Sequence, residues 1–302
     1  MSCVCKICGK EFLERGLHGH ISRSHNLSAP EYYEKYLPRH DKLSGEKIPF
    51  IDYDLYFSAQ FVSKENERTW LKTANKEDAK EYLLSSLKRR IADKELKYAP
   101  SFVEFETSNL PPYKAFVYFF GSYEAACKEV GVEPLLVDKK AVPNLSPKDV
   151  EVLIDTREQL PLEFPNSKIQ KLAFGDYTLS GDDYNYTYVD RKSDSDFKGT
   201  VTAGQERFMR ELDRCGNLDS YLYIVVEDSI DGIIFRNKAS AHPSNMNYVW
   251  AAMRKIQHAY PHKCQFVFTG SRVRSQKIIP YLLRYGKELW NTDIQYLLSL
   301  KE

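Results

Sequence analysis

Residues 175–196 read GDYTLSGDDYNYTYVDRKSDSD, and the fold of the carboxy-terminal half turns on them. Tyr184 to Val189 is rich in Tyr and Thr and reads as a strand, with Asp182 and Asp183 as turn residues before it. The strand runs out through Val189-Asp190-Arg191-Lys192-Ser193. Side chains alternate across a strand, so Asp190 and Lys192 share one face and Arg191 takes the other. Gly175-Asp176-Tyr177 lies upstream, and Asp196 stands four residues past Lys192. Further upstream, Val150 to Asp155 reads as a short buried strand that ends in Ile154-Asp155-Thr156-Arg157-Glu158. Acids at several strand ends beside one lysine suit metal-dependent phosphodiester hydrolysis. Carboxylate oxygens hold a hard divalent cation. The cation lowers the pKa of a bound water and offsets phosphate charge, and an ammonium stabilises the transition state.

Working outward, Gln205 to Arg214 reads as a helix, Tyr221 to Glu227 as a buried strand, Asn247 to Tyr260 as a helix, Cys264 to Thr269 as a strand and Ser271 to Tyr285 as a helix. Strands alternating with helices predict an α/β layer with a mixed sheet. Glu206 and Glu211 read as helix-surface acids, and Glu158 stands between site and surface. His242, His258 and His262 have no ligand spacing among them.

Gly175-Asp176 followed by Asp190-Arg191-Lys192-x-x-x-Asp196 resembles the G-D…E-R-K-x-x-x-D signature of XPF-type nucleases. Val152 to Glu158 resembles their opening strand. Arg207-Phe208, Glu211-Leu212 and the strand ending at Glu227 resemble the helix and strand that follow it. The resemblance covers about residues 148–287. It implies a restriction-endonuclease-like α/β catalytic domain that cuts DNA with magnesium or manganese. Carried over by position, Asp155, Asp176 and Asp190 would be the magnesium ligands and Lys192 the catalytic lysine. Arg191 would contact phosphate, and Asp196 would support the site. Asp190 stands where the family has Glu, one methylene longer. No tandem helix–hairpin–helix pair is evident, so the family's preference for branched DNA is not carried over.

At the other end of the chain, Cys5 and Cys8 are followed by His20 and His25. This is a two-cysteine, two-histidine zinc spacing, one residue short of the commonest central loop. Phe12 and Leu17 supply the apolar pair of a small ββα finger, whose folding energy would come from its metal. Cys3 and His18 are rival ligands, with poorer spacing. The run His25 to Tyr36 resembles the tail of Ros/MucR-type bacterial zinc fingers over about residues 3–37. That resemblance implies DNA binding, with Arg15, His18, Ser22 and Arg23 on or near the finger helix. One finger reads only ~3 base pairs.

In the middle, Ala79, Leu83, Leu84, Leu87 and Ile91 form one apolar helical stripe. Phe119-Phe120-Gly121-Ser122-Tyr123 reads as a helix stop at Gly121 and a new N-cap at Ser122, with both phenylalanines under the turn. With Ala99-Pro100-Ser101 and Leu110-Pro111-Pro112, residues 76–135 resemble the short repeat associated with homing endonucleases. That resemblance implies an accessory module that touches DNA. Lys88, Arg89 and Arg90, with Lys94, would be its phosphate-facing edge.

The expected architecture is multidomain: a zinc finger over 1–44, a connecting segment over 45–75, a helical DNA-binding module over 76–136, a linker over 137–147 and the nuclease domain over 148–302. With 43 basic and 42 acidic residues the chain has no bulk positive charge, so any DNA contact must come from local patches. No apolar run approaches the ~18–20 residues that span a bilayer. Six scattered or metal-spaced cysteines do not make a disulfide scaffold. A cytoplasmic, nucleoid-associated location in a bacterial or phage-infected cell is expected, with duplex or branched DNA as partner and a homodimer through the nuclease domain. The function that fits is a site-directed nuclease of homing, mobile-element or phage type. A structure-selective repair or recombination nuclease, a Ros-type regulator with a silent nuclease fold, and an RNA-directed nuclease are the alternatives.

Overall fold

The computed structural model describes residues 2–40, 47–50, 56, 64–138 and 150–300. The chain divides into two compact units, Met1–Ala79 and Lys80–Glu302.

In the first unit β1 (Ser2–Val4) pairs antiparallel with β2 (Glu11–Leu13), and the helix Glu14–His25 follows at once. Between the strands Gly9 takes a φ of 74°. Its N–H donates to the Cys5 carbonyl at 2.8 Å, while the Cys5 N–H donates to the Lys10 carbonyl at 2.9 Å. This is the expected ββα layout. A second helix, Ala29–Tyr36, starts at Ser28. The Ser28 hydroxyl accepts the Glu31 N–H and the Glu31 carboxylate accepts the Ser28 N–H at 2.7 Å, a reciprocal cap that satisfies two orphan donors. The cap directs Tyr32 and Tyr33, both fully buried, onto Cys5, Leu17 and Ile21. Within the segment 45–75, β4 (Lys47–Ile48) pairs with β3 (Arg39–His40), and Lys64–Thr73 is helical. Residues 41–46, 51–55 and 57–63 lie outside the described residues.

The second unit is built on a six-stranded sheet of order β10-β9-β8-β7-β5-β6. Its strands are β5 (Val152–Ile154), β6 (Ser167–Ile169), β7 (Tyr177–Leu179), β8 (Thr187–Lys192), β9 (Tyr221–Val226) and β10 (Cys264–Phe268). β8, β9 and β10 run parallel, and β7 runs antiparallel to both β5 and β8. The sheet is therefore mixed, as its alternation of elements predicts. One face carries Leu222, Ile224, Val226 and Phe266 beneath the helices Asp194–Val201, Gln205–Asn217 and Met246–Ala259. The other carries Val189, Tyr223 and Val225 beneath Arg272–Tyr285. Cover on both faces explains why β9 is a continuous apolar run rather than an alternating one. β8 starts at Thr187, later than the run from Tyr184 suggests. Tyr186 takes a left-handed φ of 64° and the Asn185 amide donates to the Leu283 carbonyl at 2.7 Å, so pairing begins only after them. Asp190 lies within the strand and Lys192 is its last residue, as the sequence suggests.

The helices Lys76–Asp93, Phe102–Glu106, Tyr113–Phe120 and Tyr123–Val130 follow the predicted punctuation. Gly121 is left-handed at φ 86°, and the Ser122 hydroxyl accepts the Ala125 N–H at 3.1 Å. The fully buried phenylalanine beside that turn is Phe116, with Phe119 and Phe120 only half-buried. From Lys80 onward these helices belong to the same compact unit as the sheet. Val103 joins the core of the first sheet face, and the Phe102 N–H donates to Asp293 at 2.7 Å. Val137 bridges Thr292. Residues 139–149, which take in most of the expected linker, lie outside the described residues. Among the described residues no helix is long and apolar enough to cross a membrane.

The junction carries buried acids. The Tyr113 hydroxyl donates to Asp138 at 2.5 Å, and the Asp138 N–H donates to Glu124 at 2.6 Å. Burial pushes the Asp138 carboxyl up to about 7, against the Tyr113 hydrogen bond, and pushes Asp293 up to about 6. From pH ~4, where an unfolded aspartate ionises, to about 7, the native state holds a proton that the unfolded state has released. Asp138 therefore contributes stability that is present at low pH and lost as pH rises through this window, with a slope of at most ~1.4 kcal/mol per pH unit. Asp138→Asn removes the titration, so the midpoint of the variant relative to wild type should climb from pH 5 to pH 8. A constant difference across that range would exclude this origin.

Candidate active site and metal centre

The acid pair arises where β7 crosses in front of β8. The Asp176 N–H donates to the Val189 carbonyl at 2.7 Å, and the Arg191 N–H donates to the Asp176 carboxylate at 2.7 Å. Asp190 is 4% exposed, and its carboxylate accepts from the Lys192 ammonium at 2.7 Å. Burial first, and then the charge of Asp190, push the Asp176 carboxyl up to about 8. Burial works against the Lys192 ammonium, but the charges of Asp190, Asp176 and Glu211 outweigh it and hold its pKa above the ordinary value. A half-buried carboxylate whose pKa is raised by burial and by the charge of Asp190, beside that buried aspartate and its Lys192 partner, forms a donor set that a divalent ion would relieve.

Gly175 makes this approach possible. Its φ is 65°, and a Cβ there would stand 2.9 Å from the Val189 carbonyl oxygen. Gly175→Ala should cost about 1–3 kcal/mol, the scale of strained backbone, read as a lower midpoint in denaturant. An unchanged midpoint would show that the turn relaxes freely. On the far side the Gly175 N–H donates to the Glu211 carboxylate at 3.3 Å. The sequence alone suggests a helix-surface role for Glu211. Its spacing from the buried Phe208, Leu212 and Cys215 places it at the edge of the inward face, which was the available signal.

The other predicted residues go elsewhere. Asp155 is buried, but both its oxygens are in use. One accepts the Arg157 backbone N–H at 2.8 Å and side-chain Nε at 2.6 Å; the other accepts the Leu172 N–H at 2.6 Å. Burial raises its pKa, but the hydrogen bonds from Arg157 and Leu172 win and leave it lowered. Asp155 braces the 170–172 loop, and among the described residues no third carboxylate joins Asp176 and Asp190 at metal-ligand spacing. Of the three aspartates expected as magnesium ligands, Asp155 is therefore held apart from Asp176 and Asp190. Arg191 does take the opposite strand face, but its guanidinium donates to Glu227 at 2.8 Å and Glu158 at 2.9 Å and is 10% exposed. It ties strand ends together rather than facing phosphate. Asp196 is exposed, and its carboxylate accepts the Ser193 hydroxyl at 2.7 Å while its N–H donates back at 3.2 Å. That cap starts the Asp194–Val201 helix immediately after Lys192.

In the first unit the ligand atoms of Cys5, Cys8, His20 and His25 all lie within 4.8 Å of one another. Cys8 Sγ is 3.2 Å from His20 Nε2, Cys5 Sγ is 3.6 Å from His25 Nε2, and the two imidazole nitrogens are 3.2 Å apart. A tetrahedral ion with ordinary Zn–N and Zn–S bonds has edges of ~3.3–3.8 Å, so the donors fit such an ion. Phe12 stacks on His20 at 4.3 Å and Leu17 is buried, as predicted. The rival ligands are excluded: Cys3 donates to the Phe12 carbonyl and His18 meets the Tyr33 hydroxyl at 3.2 Å.

No family model matches this chain, and no curated protein matches it. Solved structures do. XPF from Aeropyrum pernix is similar at 20% identity over 44% of this chain and 63% of that one, with a TM-score of 0.34. XPF from Aeropyrum pernix in complex with DNA is similar at 21% identity over 45% and 64%, also with a TM-score of 0.34. The chain thus spans under two thirds of the structures that it matches.

Of the expected DNA contacts, His18 is committed to Tyr33, and the exposed Arg23 donates to its own helix at Gly19. The side chain of Arg15 lies outside the described residues. Lys88 and Arg89 are exposed. Arg90 is not part of their edge. It pairs at 2.6 Å with the buried Glu104, which also meets His258 at 2.7 Å. This triad joins the helices to the sheet layer, and nothing in the local charge pattern announces it.

Proposed function

We propose that this chain is a divalent-metal-dependent DNA endonuclease, brought to its target by the finger and the adjoining helices. The observation that carries the reading is the half-buried Asp176, just before β7, beside the buried Asp190 of β8, with the Lys192 ammonium 2.7 Å from Asp190. Asp176 and Asp190 would hold magnesium or manganese, which when bound supplies an activated water and neutralises phosphate charge. Magnesium is commonly held by one or two carboxylates plus water and substrate oxygens, so a third protein ligand is not required. Lys192 keeps its proton beside the pair and offers a fixed cation to charge developing on the phosphate. Asp155, Arg157 and Arg191 hold the surrounding loops, and Asp196 fixes the turn after Lys192. Zinc in the Cys5, Cys8, His20 and His25 cluster holds the finger, and Lys88 and Arg89 offer exposed cations on the helical part.

The resemblance of the finger to Ros-type modules, and of the helices to homing-endonuclease repeats, supports site-directed cutting. The test is supercoiled-plasmid nicking with magnesium, followed by a comparison of a selected duplex site with random duplex and forks. Preference for one sequence supports the reading. Equal cutting of every fork with no favoured sequence replaces it with structure-selective cleavage. DNA binding without magnesium-dependent nicking overturns the enzyme assignment.

A further inference from the structure

The Gln205–Asn217 helix presents a face that the catalytic reading does not use. Phe208, Leu212 and Cys215 point into the core, while Arg207, Arg210 and Arg214 are exposed. These arginines make no ion pair or hydrogen bond among the described residues. Like the exposed Arg89, they differ from most arginines of this unit. Arg90, Arg157, Arg191, Arg236 and Arg272 are all paired with carboxylates. Glu206 and Asp213 are exposed on the same helix and keep their charge, but neither forms an ion pair with these arginines among the described residues, and Asp213 accepts from the Tyr260 hydroxyl at 2.7 Å.

The stripe also lies in a particular place. Arg207 and Arg214 are four residues before and three after Glu211, so all three share one side of the helix. Glu211 is the residue that receives the Gly175 N–H beside Asp176. The arginines therefore flank the point where the helix touches the acid pair. Seven residues of helix rise ~10.5 Å, and phosphates along one DNA strand recur every ~3.4 Å of axis, so the stripe matches a run of about three.

We propose that Arg207, Arg210 and Arg214 form a phosphate track that holds a DNA strand against the acid pair. Its place beside a cutting centre rests on the nuclease reading, but the binding itself does not. A planar, permanently charged guanidinium suits phosphate oxygens, and the contact is independent of base sequence. The track would thus let a locally neutral protein grip DNA at the centre itself, apart from the finger.

The test measures binding of a short fluorescent duplex by the full zinc-loaded chain, in calcium without magnesium, across a range of KCl. Replacing all three arginines (Arg207→Gln, Arg210→Gln, Arg214→Gln) should reduce the slope of log affinity against log salt by ~2.7, at ~0.9 per phosphate contact. The triple Arg→Lys variant should keep most of the slope, because charge is retained. Lys277→Gln, an exposed cation on the helix covering the opposite sheet face, should leave it unaltered. An unchanged slope in the glutamine variant overturns the proposal and points to a partner other than DNA. A lysine variant that loses as much as the glutamine variant also overturns it, since packing rather than charge would then be responsible. Nicking by wild type is scored separately, so a chain that never cuts but shows the slope change loses the nuclease reading and keeps the track.

Discussion

Asp190→Asn should slow magnesium-dependent nicking of supercoiled plasmid by ~100-fold or more, the scale for removing a preorganised charge at a phosphoryl centre. The substitution keeps the side-chain volume at a position that is 4% exposed, so no cavity forms. It removes a negative charge from the pair and leaves the half-buried Lys192 ammonium facing an amide. Two consequences can be separated. If Asp190 holds a cation with Asp176, the variant should need more magnesium and its rate should recover partly at high concentration. If it only anchors Lys192, the magnesium requirement should stay fixed while the rate falls. Lys192→Met tests the other half: it removes the ammonium from a site where burial already opposes charge, so the fold should survive while cutting falls on a similar scale. Wild-type rates in both variants, measured on folded protein, would remove this pair from any catalytic role.

The side-by-side placement of Asp190 and Lys192 is legible in the sequence because alternation on a single strand puts them on one face. Strand β9 was legible because six apolar residues in a row need cover on both faces. What the sequence does not show are the partners that side chains take in the fold. Asp155 resembles a metal ligand by position, yet the Leu172 N–H and the adjacent Arg157 use both of its oxygens. Arg191 lies on the face that alternation predicts, but Glu227, just past β9, and Glu158, in the loop after β5, occupy it. Arg90 lies in a run that looks like a solvated basic edge, and only tertiary packing brings Glu104 beneath it. The arginine stripe failed for a different reason. Arg207 and Glu211 were read as a family-like pattern, and a pattern does not say which face of a helix meets solvent.

The finger was legible for the opposite reason: its ligands are local, and the chain between them is too short to scatter them. That locality makes its metal dependence severe. Its described core is small: Cys5, Leu17, Ile21, Tyr32, Tyr33 and Tyr56, and one member is itself a ligand. Structural zinc supplies an apparent ~10–16 kcal/mol at neutral pH in comparable modules, so an ion held by these four ligands would contribute much of the finger's stability. Cys8→Ser removes one thiolate from a four-ligand set in which Cys8 Sγ lies 3.2 Å from His20. The variant should release its zinc equivalent, read with a chromogenic chelator, and lose the helical signal of Glu14–His25. Ser28 and Glu31 cap the Ala29–Tyr36 helix without the ion, but with Tyr32 and Tyr33 exposed that helix is too short to persist alone. Calorimetry should keep the transition of Lys80–Glu302, whose sheet is covered on both faces by its own helices. Retention of zinc by Cys8→Ser with wild-type affinity would remove Cys8 from the ligand set, and loss of the second transition would show that the two units do not melt separately.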